Sequence, residues 1–509
     1  MLNFKAEQNE KTNFPHYWEV CVGSCHAYTA LREDYREQLI KAHNELGFKY
    51  VRFHGLFDDE MSVCIENFDF EGNSQGITYN FINIDKIIDF LLQIGMKPFL
   101  ELGFMPSCLA SGNGRIFAYG GNNSMPKSDK AWEELISRFI KHIIDRYGES
   151  EVETWFFEVW NEPNLPLFLA GSQEDYFHLY EMTARTAKKI DNKLKFGGPA
   201  TSYNSWIHEM IDFCEKNNVP LDFVSTHHYP TDDPLWKSGL DIEEFFKQTG
   251  GKETDYHRGI LKEMTARTKQ ESKNYPLYYT EWNVSAMLGD TIHDEPYAAA
   301  MVAKTLADND GLVDGYSFWT FSDIFEEQSQ KPGVFHGGFG LQTVDGVEKP
   351  VYRIFEIFHE LGTKRIKVES SQSSTTEVLA AQKGNDLQVL VYNHNVPSEP
   401  IETEEVKIDL GTDNAYDAWI ERIDSDHANP MKKWEEIGKP EYLKQPEIDQ
   451  LRESSKLQKE NIEIKEGQLM LKMPPHSCAF VTIPGFFKPF FVGEINKFRA
   501  LNLTITKKY

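Results

Sequence analysis

The sequence has little that would direct it to a membrane or to a nucleic acid. Its 509 residues include no apolar run of membrane-spanning length, and residues 1–10 lack the apolar core of a signal peptide. Acidic residues outnumber basic ones by 79 to 53, which gives a formal net charge of −26. Because such a charge repels phosphate backbones and anionic bilayers, we expect neither a nucleic-acid partner nor a membrane partner.

Cysteine is also scarce. The six cysteines are scattered along the chain, mostly in apolar contexts. Cys21 and Cys25 lie four residues apart, but no second pair and no nearby histidine completes a zinc-binding set. The sequence therefore predicts no metal ion and no other cofactor. Because free thiols persist in a reducing compartment, it also predicts a cytoplasmic location.

Two apolar strands that each end in a glutamate are the most informative feature. Segment 154–163, Thr-Trp-Phe-Phe-Glu-Val-Trp-Asn-Glu-Pro, ends in Glu162, and segment 276–283 carries Glu281 in the same way. Strands rich in Val, Phe and Trp are typical of a sheet covered on both faces. A carboxyl group at the end of such a strand is half desolvated, so it can keep its proton near neutral pH. Pro163 should hold Glu162 in an extended conformation.

Strands and amphipathic helices alternate through residues 19–361, and this pattern is typical of a (β/α)8 TIM barrel with loop insertions. The predicted strands are Glu19–Cys25, Tyr50–His54, Pro98–Gly103, Trp155–Trp160, Lys195–Pro199, Asp222–His227, Leu277–Glu281 and Tyr316–Phe321. The predicted helices are Arg32–Leu46, Ile84–Gly95, Asp129–Tyr147, Gln173–Ile190, Ser205–Asn217, Thr254–Thr268, Pro296–Asp308 and Tyr352–Leu361. Ser172 and Asp175 should cap the fourth of these helices.

The remaining residues indicate a C-terminal β-sandwich domain, so the fold class is α/β with an accessory β domain. We divide the chain into residues 1–14, a catalytic barrel at 15–361 and a sandwich at 362–509, with a helical insert near 431–459. The first segment could add a strand to the sandwich. Short alternating or apolar segments predict antiparallel strands at Val378–Ala381, Leu387–Tyr392, Glu405–Leu410, Ala415–Ile423, Gln468–Met473 and Ala479–Ile483.

Polar side chains accumulate at the carboxyl ends of the predicted barrel strands, where barrels of this class carry their active sites. They are His54, Glu101, Asn161, Glu162, His227, His228, Tyr229, Glu281 and Asp323. Cleavage of a glycosidic bond needs one protonated carboxyl group and one carboxylate, about 5–5.5 Å apart in retaining enzymes. We predict Glu162 as the acid/base and Glu281 as the nucleophile. Asn161 could contact the sugar 2-OH, and the hydroxyl of Tyr229 could keep Glu281 ionised.

Structural alternatives exist for several of these residues. A strand glutamate can simply pair with a buried arginine, and Arg52 is available. Glu101 and Glu158 are the glutamates most easily mistaken for catalytic ones. His227 and His228 point to opposite faces of one strand, so at most one of them reaches the site.

Aromatic residues at the end of the last strand have two interpretations. Trp319 and Phe321 could form a wall on which a sugar stacks, although core packing explains them nearly as well. The loops Pro106–Lys127 and Asp323–Gly340 could close one end of the site and so make a pocket. A pocket would favour attack on chain ends, and an intracellular enzyme would need oligosaccharides short enough to be imported.

Longer motifs around these residues resemble glycoside hydrolase family 39, and most closely its bacterial β-xylosidases. The motifs span nearly the whole chain and include segments 52–55, 98–106, 160–165, 224–229, 280–283, 318–323, 336–340, 419–422 and 427–430. The sequence departs from the family pattern at Trp282, at Ala286-Met287 and at Thr226. These departures do not affect the two glutamates, but they leave the leaving-group side of the pocket, and hence the exact specificity, open.

The resemblance implies a retaining exo-glycosidase that removes terminal β-D-xylosyl residues from short xylo-oligosaccharides, and a tetramer of identical chains. It assigns acid/base catalysis to Glu162 and nucleophilic attack to Glu281. It assigns sugar contacts to His54, Phe117, Asn161, His227, Tyr229, Trp319 and Glu326. The open alternatives are the same mechanism on an α-L-arabinoside, a β-glucoside or a uronide, a sugar-binding barrel without catalysis, and a metal-dependent barrel enzyme.

Overall fold

Eight parallel strands close into a barrel in the computed structural model of the protein, which describes residues 1–232, 256–329, 333–370 and 372–487. In chain order they are Cys21–His26, Tyr50–His54, Lys97–Leu102, Phe156–Val159, Lys195–Thr201, Phe223–His228, Leu277–Trp282 and Gly315–Phe318. Each strand overlaps one of the predicted strands, and the predicted TIM barrel is confirmed. Every strand of the barrel is buried because helices and loops cover the outer face.

The helices also follow the predicted pattern. Those described are Glu33–Leu46, Ile82–Gln93, Asp129–Tyr147, Glu149–Val152, Gln173–Lys188, Ile207–Asn217, Ile260–Glu271, Pro296–Asp308, Pro350–Glu360, Pro430–Glu436 and Gln445–Ser455. Ser172 and Asp175 form the predicted capping box, each side chain bonding the other residue's backbone N–H. The predicted helix Thr254–Thr268 begins outside the described residues and is found at Ile260–Glu271. Across the described part of the chain, no helix combines the length and the apolar character needed to cross a bilayer.

Aromatic rings fill the amino-terminal end of the barrel. Phe99, Phe156 and Phe223 project inward from three strands, and the rings of Phe99 and Phe156 stack with centroids 4.9 Å apart. Side chains alternate along a strand, so the next inward positions lie two residues later. In two of these strands the positions are occupied by Glu101 and Glu158, which are paired in register. The aromatic layer therefore lies directly beneath the layer that contains Glu101 and Glu158.

A second, mostly antiparallel sheet of nine strands confirms the predicted accessory β domain. Its strand order is Glu460–Ile464, Tyr416–Ile423, Ser477–Ile483, Asp386–Asn393, Thr376–Lys383, Lys364–Ser370, Leu2–Asn13, Glu404–Asp409 and Gln468–Met473. The two edge strands follow each other in the chain, so the sheet curls around one apolar core. The first strand, Leu2–Asn13, lies inside this sheet between Lys364–Ser370 and Glu404–Asp409. The proposed domain limits themselves stay a prediction.

Contacts between barrel helices and the second sheet are both apolar and charged. Arg258 and Lys304 from the barrel reach Glu377 on the sheet, at 2.6 Å and 3.2 Å. The helices Pro430–Glu436 and Gln445–Ser455 occupy the predicted insert and pack against the barrel loop residues Phe335 and Val347. Outside both sheets, Cys64–Phe68 and Ser74–Tyr79 form a separate hairpin that the sequence did not predict.

Candidate active site

A fully buried arginine organises the middle of the barrel. The guanidinium of Arg52 donates to Glu158 at 2.6 Å and to Glu281 at 2.8 Å. Its remaining nitrogen lies 3.0 Å from Glu101 and 2.9 Å from the amide oxygen of Asn161. Glu101 and Glu158 are thus the arginine-paired glutamates anticipated as structural. Burial raises the pKa of Glu101 to about 8, although Arg52 opposes the shift, which reduces the excess negative charge in this layer.

Glu281 reaches the site because its strand contains an irregularity. The register with the neighbouring strand shifts between Tyr279 and Glu281, so that Glu281 lies opposite His227. Both Thr280 and Glu281 consequently face inward, and Thr280 bonds to Glu158 at 2.9 Å. Bulges of this kind re-aim side chains near functional sites.

Two donors hold the carboxylate of Glu281. Arg52 donates to Oε1 at 2.8 Å, and the hydroxyl of Tyr229 donates to Oε2 at 3.1 Å. The anticipated Tyr229 contact is therefore present. Burial raises the pKa of Glu281, and the Arg52 guanidinium opposes that shift. These donors fix the orientation of the carboxylate and favour its charged form.

Glu162 follows the strand Phe156–Val159, but it is not extended as predicted. Its φ is 42°, in the left-handed region, where Trp160 also lies with φ 70°. Two backbone hydrogen bonds outweigh the preference for an extended residue before Pro163. Glu162 N–H donates to Ala200 O at 2.8 Å, and the Glu162 carbonyl accepts from Leu165 N–H at 3.0 Å. This tight turn projects the carboxyl group into the barrel mouth.

The two glutamates come together. His227 Nδ1 lies 3.1 Å from Glu162 and 3.6 Å from Glu281, and one oxygen of each carboxyl group falls in a set whose atoms are all within 4.8 Å of one another. Glu162 is 7 % exposed and has no arginine among its hydrogen-bond partners. Burial and the charge of Glu281 raise the pKa of Glu162 well above its usual range. The arrangement therefore pairs a neutral carboxyl group with a carboxylate held by Arg52 and Tyr229.

The adjacent histidines behave as their alternation predicts. His227 faces the glutamates and bonds Thr280 at 3.1 Å, whereas His228 points away toward the hydroxyl of Tyr316. Burial lowers the pKa of His227 well below its usual range, so the ring stays neutral beside Glu162. A neutral imidazole can donate one hydrogen bond and accept another.

Aromatic rings surround a third histidine on the opposite wall. His54 stacks on Phe117 with centroids 6.0 Å apart and an interplanar angle of 11°, and its ring lies 4.7 Å from that of Trp319. His54 also bonds Glu101 at 2.6 Å, and burial lowers its pKa to about 3. Phe321, in contrast, packs in the core against Tyr35. The wall is therefore made by Trp319 and Phe117, and Phe321 is not part of it.

Two long loops meet above these residues. Ala118 N–H, from the loop Pro106–Lys127, donates to Glu327 O at 2.7 Å. In the same loop Tyr119 stacks on His26 with ring centroids 3.9 Å apart. The loops predicted to close one end of the site thus contact each other, although residues 330–332 lie outside the described part.

The structure places Glu327 deeper in the site than its neighbour Glu326, for which a sugar contact is predicted. Glu326 bonds His26 and Arg32, both at 3.0 Å, at the half-exposed rim. Glu327 lies 3.6 Å from His54 Nε2, and burial together with the Glu281 and Glu101 charges raises its pKa well above its usual range. Sequence periodicity cannot separate two adjacent loop glutamates, so the sugar contact of Glu326 stays a prediction.

His26 is a further site residue that sequence reasoning missed. It ends the first strand, which was predicted to stop at Cys25. Its ring bonds Glu60 at 2.5 Å and Glu326 at 3.0 Å, and these carboxylates raise its pKa against the effect of burial. The strand-end rule that selected His54 would have found His26 if the strand had been extended by one residue.

In the described part of the chain, one set of side chains has the spacing to hold a metal ion: Glu162, His227 and Glu281. These are the groups already engaged with one another at the barrel mouth. The expectation that the protein needs no metal or other cofactor stays a prediction.

The similarity to known proteins extends over nearly the whole chain. The model of the family described as glycosyl hydrolases family 39 matches residues 2–467. The chain belongs to glycosyl hydrolase family 39. As a family 39 member it is a glycoside hydrolase, and the resemblance expected from the motifs is confirmed.

Relatives within family 39 match at moderate identity. A β-xylosidase of Caldicellulosiruptor saccharolyticus is 47 % identical over 476 residues, covering 92 % of this chain and 95 % of the relative. A β-xylosidase of Geobacillus stearothermophilus is 33 % identical and covers 87 % of both chains. The crystal structure of a monomeric β-xylosidase from Caulobacter crescentus CB15 superposes with a TM-score of 0.81 at 28 % identity, covering 95 % of this chain and 99 % of the other.

Proposed function

We propose that this protein is a retaining exo-β-xylosidase that releases xylose from the ends of short xylo-oligosaccharides. The observation that carries the proposal is the pair Glu162 and Glu281, whose nearest oxygens lie within 4.8 Å and whose environments differ. A separation of about 5–5.5 Å suits direct attack by the second carboxylate, whereas inverting enzymes need about 6.5–9.5 Å. The names of the two curated family 39 relatives support the choice of xylose.

The first step forms a covalent glycosyl-enzyme. Glu281 attacks the anomeric carbon while Glu162 transfers its proton to the departing glycosidic oxygen. Arg52 and Tyr229 hold the attacking carboxylate in one orientation, so little reorganisation is needed when its charge moves to the sugar. The neutral state of Glu162 follows from its burial and from the Glu281 charge.

The second step releases the sugar with its configuration retained. Once Glu281 is esterified, its negative charge no longer raises the pKa of Glu162, so Glu162 becomes a stronger acid and is left as a carboxylate. It then accepts a proton from water, which attacks the same face that the aglycone left. The same residue thus serves as acid and base in turn.

Sugar hydroxyls can be bound by groups around this pair. Asn161, whose oxygen is held by Arg52, presents its amide N–H₂ beside Glu162 and suits the sugar 2-OH. His54, His227 and Tyr229 offer further polar contacts, and Phe117 with Trp319 offers apolar faces to the ring. The meeting of the two loops above them supports a pocket for a chain end.

The charges at the site disfavour a uronide. Four buried glutamates, Glu101, Glu158, Glu162 and Glu281, lie around the barrel mouth together with the half-buried Glu327. The cation among them, Arg52, is already bonded to three carboxyl groups and an amide. Because Arg52 is engaged in this way, a sugar carboxylate would gain no compensating charge from it, which favours a neutral sugar such as xylose.

The cytoplasmic location and the tetramer belong to the proposal as well. Apolar side chains are exposed on the hairpin and the helix that follows it: Ile65, Phe68, Phe70 and Ile82. Exposed apolar groups that lie close together are typical of an interaction surface, which supports self-association.

Light scattering after size-exclusion chromatography tests the tetramer. It should give four times the chain mass, and a monomer would contradict the assembly.

Labelling with an activated 2-fluoro xyloside tests the function directly. The fluorine slows the second step, so the glycosyl-enzyme should accumulate and a modified peptide containing Glu281 should be found by mass spectrometry. The Glu281→Gln variant should remain unlabelled under the same conditions. A label on another residue would contradict the assignment of the nucleophile.

A panel of nitrophenyl glycosides then separates the sugar alternatives. The β-xyloside should give the highest kcat/KM, ahead of the α-L-arabinoside and the β-glucoside. Unchanged activity after dialysis against a chelator, with metal content measured before and after, would exclude the metal-dependent alternative. Binding of xylobiose without turnover of any glycoside would instead favour a non-catalytic sugar-binding barrel.

A further inference from the structure

Two cysteines that are remote in sequence lie side by side. The sulfurs of Cys64 and Cys108 are 3.1 Å apart, and Cys108 Sγ lies 3.3 Å from the carbonyl oxygen of Cys64. The other four cysteines in the described part of the chain are buried and are not paired with one another. The proposed catalytic mechanism does not use the Cys64–Cys108 pair. A disulfide bond is about 2.05 Å long, so an approach of roughly 1 Å would join the two sulfurs.

The pair connects the hairpin to the loop that borders the proposed pocket. Cys64 begins the hairpin strand Cys64–Phe68, and Cys108 lies in the loop Pro106–Lys127. That loop carries Phe117, which stacks on His54, and Ala118, which bonds Glu327. Cys108 is partly exposed and can meet a small reagent, whereas Cys64 is buried behind it.

We propose that Cys64 and Cys108 form a reversible disulfide when a small-molecule disulfide such as oxidised glutathione is present, and that this bond fastens the loop Pro106–Lys127 to the hairpin. The inference concerns modification of the enzyme and does not depend on the identity of its sugar.

The reaction balances as an ordinary thiol–disulfide exchange. The Cys108 thiolate, formed by loss of one proton, attacks the small disulfide and expels one equivalent of small-molecule thiolate. Cys64 loses its proton and attacks the Cys108 sulfur of the mixed disulfide, which expels the second equivalent. Two protein thiols are oxidised and one small disulfide is reduced to two thiols.

The surroundings favour Cys108 as the attacking group. A hydrogen bond from Cys64 lowers the pKa of the Cys108 thiol, against the effect of burial. Burial raises the pKa of Cys21, of Cys214 and of Cys25, and these thiols are inaccessible. The reaction should therefore be selective for one pair.

The test oxidises the full-length native protein with oxidised glutathione and maps its peptides without reduction. We expect one linked peptide that contains Cys64 and Cys108, with the buried thiols unmodified, and its loss on addition of dithiothreitol. The Cys64→Ser variant should stop at the mixed disulfide of Cys108 with glutathione. The Cys214→Ser variant is the matched control and should still form the link.

Limited proteolysis tests the second half of the proposal. Arg115 is exposed within the loop and offers a trypsin site. Cleavage after Arg115 should be at least fivefold slower in the oxidised protein, and the Cys108→Ser variant should show no difference between oxidised and reduced conditions. Wild-type protein that ends as a Cys108–glutathione adduct, or that links Cys64 elsewhere, would overturn the disulfide. Equal cleavage rates in the linked and reduced forms would overturn the fastening of the loop.

Discussion

A single arginine ties the chemistry of the site to the stability of the barrel. Arg52 has no exposed surface and bonds Glu101, Glu158 and Glu281 at once. Each of these bonds is charge-assisted, and together they use the whole guanidinium fork. Arg52 therefore holds the proposed nucleophile, Glu281, and also compensates the charge of Glu101 and Glu158 beneath it.

Replacing Arg52 with methionine should destabilise the protein strongly. The change leaves Glu158 and Glu281 buried without a cation, which costs about 3–5 kcal/mol. Thermal and urea unfolding would measure the loss. The Arg138→Met variant is the control, because Arg138 is exposed and its contacts with Glu134 and the Tyr79 ring are at the surface, so its effect should stay within about 1 kcal/mol. Equal effects of the two substitutions would contradict the role assigned to Arg52.

Replacing Glu162 with alanine should separate the two steps of the reaction. Loss of a general acid should lower turnover of xylobiose by about 10²–10⁴-fold, while cleavage of a dinitrophenyl xyloside, whose leaving group needs no proton, should suffer less. Added azide should restore turnover of the activated substrate and give β-xylosyl azide. An α-configured azide product would contradict retention.

The pH dependence should follow from the proton on Glu162. Its pKa is raised, mainly by burial, and the proposed mechanism needs the protonated form. Wild-type kcat/KM for unactivated substrates should therefore fall as pH rises through that raised pKa. The Glu162→Ala variant, assayed with the dinitrophenyl xyloside, should lack this basic limb. Persistence of the limb in the variant would assign it to another group.

Many site residues could be predicted because the sequence shows where the apolar strands end, and polar residues at those ends point into the barrel mouth. Glu162, Glu281, His54 and Tyr229 each lie at or just after the end of a predicted strand, and parallel strands bring such positions to one rim. The sequence could not show which of Glu326 and Glu327 lies deeper in the site, because a loop has no periodicity from which burial can be predicted. The left-handed conformation of Glu162 was missed because it depends on a hydrogen bond to Ala200, which is remote in sequence.

Among the elements, the loop Pro106–Lys127 lies over the proposed site and contacts it from one side. It has no helix or strand of its own, yet it supplies Phe117 to the wall and bonds the opposite loop through Ala118. Loops held over a barrel mouth in this way commonly carry recognition rather than chemistry.

Replacing Phe117 with alanine should weaken sugar binding and leave the chemical step intact. Loss of one aromatic face is worth about 0.5–1.5 kcal/mol, so KM for xylobiose should rise roughly 2–12-fold with little change in kcat. Steady-state kinetics would measure both constants. The Tyr442→Ala variant, at a residue that is 75 % exposed, should leave them unchanged. A large loss of kcat with unchanged KM would contradict a binding role.

The boundaries of elements were predictable where apolar periodicity is strong. Asp129–Tyr147 and Pro296–Asp308 have the predicted bounds. The buried residues of the first repeat every three or four positions, whereas the second is an alanine-rich helix buried on all sides. Lys364–Ser370 was missed because its Lys-Arg-Ile-Lys-Val-Glu-Ser sequence is mostly charged and only Ile366 is fully buried. That strand exists because Leu2–Asn13 and Thr376–Lys383 pair with it, which no local pattern shows.

At the scale of the whole molecule, a charged cluster joins the barrel to the second sheet. Arg258 and Lys304 converge on Glu377, and Arg258 also bonds His394 O at 2.7 Å and Thr375 O at 3.0 Å. Burial of this cluster is partial, and the two cations lower the pKa of Glu377 against the effect of burial.

Replacing Glu377 with glutamine should weaken this junction. Two partly buried cations would lose their carboxylate, and we expect a loss of about 1–3 kcal/mol in the free energy of unfolding. Because the pKa of Glu377 is lowered, its contribution is present above the unfolded-state pKa and is lost as pH falls, so the variant and wild type should converge in acid. The exposed pair of Glu369 with Lys367 provides the control, and Glu369→Gln should change stability little.

The first strand gives this architecture a consequence for biosynthesis. Asn13 pairs with Lys364, and Leu2 pairs with Val406, so the partner strands are made only about 350–400 residues after this strand. At roughly 5–20 residues per second, a ribosome needs roughly 20–80 s for that length. During this interval the barrel can begin to close, while Leu2, Phe4 and Ala6 of this strand remain unburied and open to chaperones.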